Sequence, residues 1–264
     1  MASLGALEAP ATPLWGELRY GGELARLLLA RRFMSRPPLF ARPREGAQPV
    51  MLIPGFMAGD RSLGLMRSWL RGRGHPVAAS GMRLNAGCAG EIVARLQPEL
   101  RSFAERCGAP VILIGQSRGG AIARSLAVRE PGSVAGLVML GAPVCDALAV
   151  SPPVLRTVRM MAALGDLGLS RVFSTRCAEG TCCETFWDDL GAPLAEHVDS
   201  LAVYSRSDGI VSWRACLDPH SRAAEVRSSH CGMSVHPEVY ELLEDLLERS
   251  PLTPPGASRG AQAA

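Results

Sequence analysis

The chain has 264 residues, a net charge of +3, and 47% hydrophobic against 20% charged residues. That length can bury a full core in about one or two domains, and the composition is that of an ordinary globular protein rather than a fibrous or disordered one. All 28 basic residues are arginine and they are scattered, so a nucleic-acid-binding surface has no support; no run approaches the roughly 18 apolar residues of a membrane span.

Residues 1–47 are rich in Pro and Arg and read as an N-terminal extension packed on the domain. Leu24–Ala30 within it is apolar, is flanked by arginines and lacks a clear cleavage site. It reads as a short amphipathic helix rather than a signal peptide, with a weak membrane-surface anchor as the alternative. With neither a signal peptide nor a spanning segment in view, a cytoplasmic location is expected.

Regular pattern begins at Pro49–Ile53, a buried strand. Asp60–Arg73 predicts a helix with Asp60 as its N-cap, and Pro76–Ala79 a weak strand. Gly90–Cys107 is amphipathic, with Ile92, Leu96, Leu100 and Phe103 at helical spacing; Pro98 inside it predicts a kink or break. Val111–Ile114 predicts a strand, Gly119–Arg129 a helix and Val134–Leu140 a strand. From 144 to 197 no strand is evident; prolines (Pro152, Pro153, Pro193) and short apolar helices take over. Strands return at Ser200–Tyr204 and Ala224–Val226. A final helix, Pro237–Arg249, buries Val239, Leu242, Leu243, Leu246 and Leu247. The tail, 250–264, is Pro-, Ala- and Gly-rich and is expected to be disordered.

Continuous apolar strands alternating with helices imply a parallel sheet covered on both faces. Residues 48–143 and 198–249 would form that α/β core. Residues 144–197 would be a cap over the carboxyl ends of the strands, where open α/β sheets place their sites.

Gly115-Gln116-Ser117-Arg118-Gly119 falls between a strand and a helix. The G-x-S-x-G pattern presents a serine on a sharp, strained turn, and a side chain at either glycine would crowd it. A serine hydroxyl needs a base, and the base a carboxylate to orient it. Of five histidines, His230 and His236 follow the last strand and can face Ser117 across the sheet edge. His236, beside Pro237, reads as a helix-start residue, so His230 is the expected base. Asp208, just after a strand, is the expected acid. Asp199 precedes that strand and lies at the wrong edge, and Asp218 before Pro219 reads as an ordinary turn. The bland readings are a turn aspartate and a loop histidine; the order Ser, Asp, His weighs against them. The backbone N–H groups of Arg118, at a helix N-terminus, and of Phe56, in the glycine turn Ile53-Pro54-Gly55-Phe56, are the expected oxyanion donors.

Eight cysteines in this length are below disulfide-scaffold density. Cys177-x4-Cys182-Cys183 is poorly spaced for zinc and has no histidine nearby, which favours a disulfide or plain thiols. Cys216 and Cys231 flank the last strand and could pair across a loop.

The serine elbow, the glycine turn after the first strand and the order Ser117, Asp208, His230 resemble the α/β-hydrolase superfamily, in particular small bacterial triacylglycerol-lipase-like esterases. The stretches that carry the resemblance are Leu52-Ile53-Pro54-Gly55-Phe56, Gly115 to Gly120, Leu140-Gly141-Ala142-Pro143 and Ser205 to Val211. The chain departs from that pattern with Pro54-Gly55 where many such lipases carry His-Gly, and with Arg118 where an apolar residue is usual. The two strands that open larger members are missing, so the resemblance implies about six mostly parallel strands, helices on both faces and a helical cap. It implies a serine carboxylic-ester hydrolase working through an acyl-enzyme, with Ser117, Asp208 and His230 catalytic and no metal or cofactor. The partner would be a small-molecule or lipid-like ester, with at most peripheral membrane contact. An acyltransferase or thioesterase using the same three residues, and a non-catalytic binding protein of this fold, are the alternatives. The apolar cap residues Val144, Leu148, Val154, Leu155, Val158, Met160, Met161, Leu164 and Phe173 suit an acyl chain and equally suit packing of the cap on the core.

Overall fold

A computed structural model describes residues 8–10, 13–29, 47–169, 172–178 and 183–249. The expected disordered tail, 250–264, and Cys182 lie outside the described residues, as does much of the 1–47 extension. Among the described residues six strands form one sheet, all parallel, in the order β2-β1-β3-β4-β5-β6. They are β1 (Val50–Ile53), β2 (Val77–Ala79), β3 (Val111–Gln116), β4 (Val134–Leu140), β5 (Asp199–Tyr204) and β6 (Arg222–Glu225).

Successive side chains of a strand point to opposite faces, and both faces are apolar here. Met51, Ile53, Leu113 and Met139 pack with Val93, Leu96 and Ile122 of helices α3 (Ala89–Cys107) and α4 (Arg118–Arg129). Val50, Leu52, Ile112 and Val138 pack with Met66, Leu70, Leu243 and Leu246 of α2 (Gly64–Gly72) and α8 (Pro237–Arg249). This double covering explains why the central strands read as unbroken apolar runs.

Some expectations are corrected. Asp60 does not cap α2: it opens a short 3-10 turn, Asp60–Leu63, and its Oδ1 accepts from the Ser80 N–H and hydroxyl, the latter at 2.6 Å. Pro98 does not interrupt α3, which runs unbroken to Cys107. Pro98 and Ala94 are both exposed, so water can satisfy the carbonyl that the proline leaves without its helical donor. The polar edge strand β6 begins two residues earlier than expected. The N-terminal helix α1 (Tyr20–Leu29), preceded by a 3-10 turn from Leu14 to Arg19, starts four residues before the apolar run that predicted it.

Residues 144–197 hold α5 (Pro152–Asp166), α6 (Thr175–Ala178) and α7 (Glu184–Gly191). Buried polar contacts fasten this segment to α4. Arg124, with no exposed surface, donates to the carbonyls of Asp189 and Ala192, and Ser125 and Arg129 donate to the Asp189 carboxylate. Arg124 also pairs with Asp218 at 2.7 Å. Asp218 is therefore more than the expected turn residue: it accepts from the His220 N–H as a turn aspartate does, but its carboxylate neutralises a buried guanidinium.

Candidate active site

The strand order reverses between β1 and β3. The chain leaves β1 for the β2 edge and returns to β3 on the other side, which opens a crevice at their carboxyl ends. The loop after β1 and the turn after β3 meet there. At that turn Ser117 has φ 53° and ψ −127°, a conformation sparsely populated by residues with a side chain and costing about 1–3 kcal/mol. Its N–H is tied to the Leu140 carbonyl at 2.7 Å. The flanking glycines are required by space. A Cβ on Gly115 would lie 2.3 Å from the Gly119 carbonyl oxygen, and one on Gly119 would lie 2.3 Å from that of Ile53.

The loop after β1 lies directly against this turn. A Gly55–Ala58 turn, with Met57 at φ 57°, uses the Ala58 N–H, and the Met57 N–H goes to the Asn85 carbonyl at 3.1 Å. Among the described residues the Phe56 and Arg118 N–H groups have no protein acceptor. Both residues line the same cavity as Ser117. The buried Asn85, which sequence reasoning missed, knits this corner together. Its amide donates to the Pro54 carbonyl at 2.8 Å and its side-chain oxygen accepts from the Arg118 guanidinium. Arg118 also donates to the Gly87 carbonyl. Burial lowers its pKa to about 10, so it stays a cation at neutral pH.

The structure brings His230 and Asp208 together. His230 Nδ1 lies 2.6 Å from Asp208 Oδ2, and both side chains are buried. Asp208 Oδ1 accepts from the Ile210 and Val211 N–H groups, each at 2.8 Å, so the carboxylate is held by its own loop. His230 lines the cavity with Ser117. Burial alone would lower the imidazole's pKa. The Asp208 charge, its hydrogen bond and the nearby Glu17 charge outweigh burial and raise it above the usual value. His236 is buried ahead of α8 and does not line the cavity.

Two N-terminal carboxylates brace these loops. Glu17 accepts from the N–H groups of Gly209, His230 and Cys231 at 3.1, 2.9 and 3.0 Å, bridging the Asp208 and His230 loops. Glu23 accepts from the Ser229 N–H and hydroxyl at 2.7 and 2.6 Å. Nothing local in the sequence marks either residue. Cys216 and Cys231, which could have paired across the loop, are free thiols. Cys216 is buried in a small apolar cluster with Val150 and Val211, whereas Cys231 is exposed beside Glu17.

The cavity measures about 670 Å³, within the usual range of small-molecule sites, about 300–1,000 Å³. The 144–197 segment supplies Leu148, Val154, Val158, Phe173, Phe186 and Trp187 to its apolar wall. The segment's apolar residues thus divide. Those named line the cavity, Met161 is buried in the core, and Met160 faces solvent at 57% exposure. Among the described residues no helix is long and apolar enough to cross a membrane.

Solved structures share this architecture. A Bacillus licheniformis lipase in mature form aligns with a TM-score of 0.56 at 15% identity, over 80% of this chain and 96% of its own. A soluble variant of monoglyceride lipase from Saccharomyces cerevisiae aligns at 0.59 and 14%, over 82% and 91%. An alpha/beta hydrolase enzyme from a lagoon-sediment metagenome aligns at 0.54 and 19%, over 78% and 92%. The chain has the α/β-hydrolase fold. No protein-family model and no curated protein matches the sequence, so the likeness rests on three-dimensional structure. Ser117 sits on the turn after β3, and Phe56, Asp208 and His230 sit on the loops that follow β1, β5 and β6 of the same sheet.

Proposed function

We propose that the protein is a serine hydrolase of carboxylic esters. The observation that carries this reading is a serine in strained backbone geometry, in one apolar cavity with a histidine whose other ring nitrogen is held by a buried aspartate. Ser117 Oγ attacks the ester carbonyl while His230 Nε2 takes its proton. The Phe56 and Arg118 N–H groups receive the oxyanion, and His230 then protonates the leaving alcohol. Water, deprotonated by the same imidazole, releases the acid and restores Ser117. Asp208 fixes the tautomer and stabilises the imidazolium. The 144–197 segment acts as a cap whose apolar wall receives the acyl chain. The lipase names of the similar structures support the choice of ester as substrate.

A series of p-nitrophenyl esters from acetate to palmitate tests this. Each methylene that enters the cavity is worth about 0.8 kcal/mol, so kcat/KM is expected to rise about fourfold per methylene until the wall is filled. An optimum at acetate would remove the acyl-chain role of the cavity. Failure to turn over any ester would remove the hydrolase assignment.

Glu17 acts as a positioning residue. Its charge is one of the influences that raise the imidazole's pKa, and the base works only when neutral. The acid limb of kcat/KM therefore lies above the ordinary histidine value of about 6.5. Glu17→Gln removes the charge and is expected to move that limb to lower pH. An unmoved limb, with only a change in stability, would reduce Glu17 to a structural brace.

A further inference from the structure

The three cysteines Cys88, Cys177 and Cys183 converge from the N-terminal cap position of α3, from α6 and from the residue before α7. Their Sγ atoms all lie within 4.8 Å of one another, and none is in a disulfide. The run Cys177-x4-Cys182-Cys183 is poorly spaced for zinc by itself; the partner that joins Cys177 and Cys183 lies in a different part of the chain, 95 positions before Cys183. We propose that Cys88, Cys177 and Cys183 bind one thiophilic metal ion of the zinc type, which fastens the 144–197 segment to the core.

Geometry and charge separate this from a disulfide. Cys88 and Cys183 Sγ are 3.2 Å apart. Thiolates bound tetrahedrally at about 2.3 Å are about 3.8 Å apart, so this pair opens by about half an ångström on binding. A disulfide at about 2.05 Å would need it to close by more than 1 Å. Three thiolates around a divalent ion carry one net negative charge. The Arg118 guanidinium, which has no carboxylate within salt-bridge distance among the described residues, lies close enough to all three sulfurs to feel their charge when they are thiolates and would neutralise the complex; a disulfide carries no charge to offer it. The Ser174 hydroxyl, 3.7 Å from Cys177 Sγ, can donate to a bound thiolate. A second cavity, about 540 Å³, is lined by all three cysteines and provides an entry path. With three protein ligands the fourth position opens to water. Binding exchanges three thiol protons for the ion and oxidises nothing.

The reduced full-length chain, stripped with chelator, equilibrated with Zn2+ and desalted, should retain one zinc. Co2+ in its place should give a thiolate-to-cobalt charge-transfer band. Cys88→Ser, Cys177→Ser and Cys183→Ser should each lose the ion, and Cys107→Ser should keep it. Should the variants misfold, alkylation of the wild type read by peptide mass spectrometry decides the matter: zinc should protect these three thiols but not Cys107 or Cys145. Zinc lost on desalting with no charge-transfer band, thiols equally reactive with and without zinc, or a Cys88–Cys183 disulfide in protein purified without reductant would each overturn the proposal.

Discussion

Ser117→Ala is expected to reduce kcat on a p-nitrophenyl ester by about a million-fold, roughly 8 kcal/mol of transition-state stabilisation. The substitution removes the attacking oxygen and little else. The turn that holds position 117 is built by its backbone, through the bond from its N–H to the Leu140 carbonyl and the close approach of Gly115 to Gly119. Folding should be retained, and KM should change far less than kcat, because the cavity wall is untouched. What survives is the contribution of the Phe56 and Arg118 donors and of substrate binding, about a thousandfold or more over water. A variant retaining wild-type kcat would place the nucleophile elsewhere.

Asp208→Asn is expected to cost about ten-thousandfold in kcat, about 5 kcal/mol, with the fold intact. The direction follows from the other half of the carboxylate. Asp208 Oδ1 accepts from the Ile210 and Val211 N–H groups, so an asparagine keeps its carbonyl oxygen there and turns its amide NH2 toward His230. A donor facing Nδ1 moves the imidazole proton to Nε2, the atom that must accept from Ser117. The base is then present in the wrong tautomer. His236→Ala, by contrast, removes a buried ring outside the cavity and should lower stability while leaving most of the turnover. Activity lost with His236 and kept with His230→Ala would move the base.

The parts of this architecture written in local pattern were legible in the sequence. Strands β1, β3, β4 and β5 are buried on both faces and are therefore continuous apolar runs. The serine turn declares itself through two glycines whose Cβ positions are occupied by backbone. Asp208 and His230 could be ordered because each follows a strand. What could not be read depends on partners far apart in the chain. Glu17 and Glu23 meet the His230 loop across 213 and 206 positions, and the short 3-10 turn and amphipathic helix that carry them have no local mark of that role. The thiol cluster escaped for the same reason, since the spacing of Cys177 and Cys183 says nothing of Cys88. Strand β6, at the sheet edge with exposed Arg222 and Glu225, is expected two residues late, at Ala224–Val226, because its polar start lacks the apolar signal that located the others. Asp60 was misplaced because its carboxylate serves Ser80, twenty positions on, rather than its own helix.

The most direct test of the central claim is labelling of the full-length chain with a fluorophosphonate, followed by peptide mass spectrometry. An activated Ser117 predicts one adduct per chain on the Gly115–Gly119 peptide, absent in Ser117→Ala and strongly slowed in His230→Ala. A well-folded protein that takes up no label, or takes it up at another serine, would contradict the account.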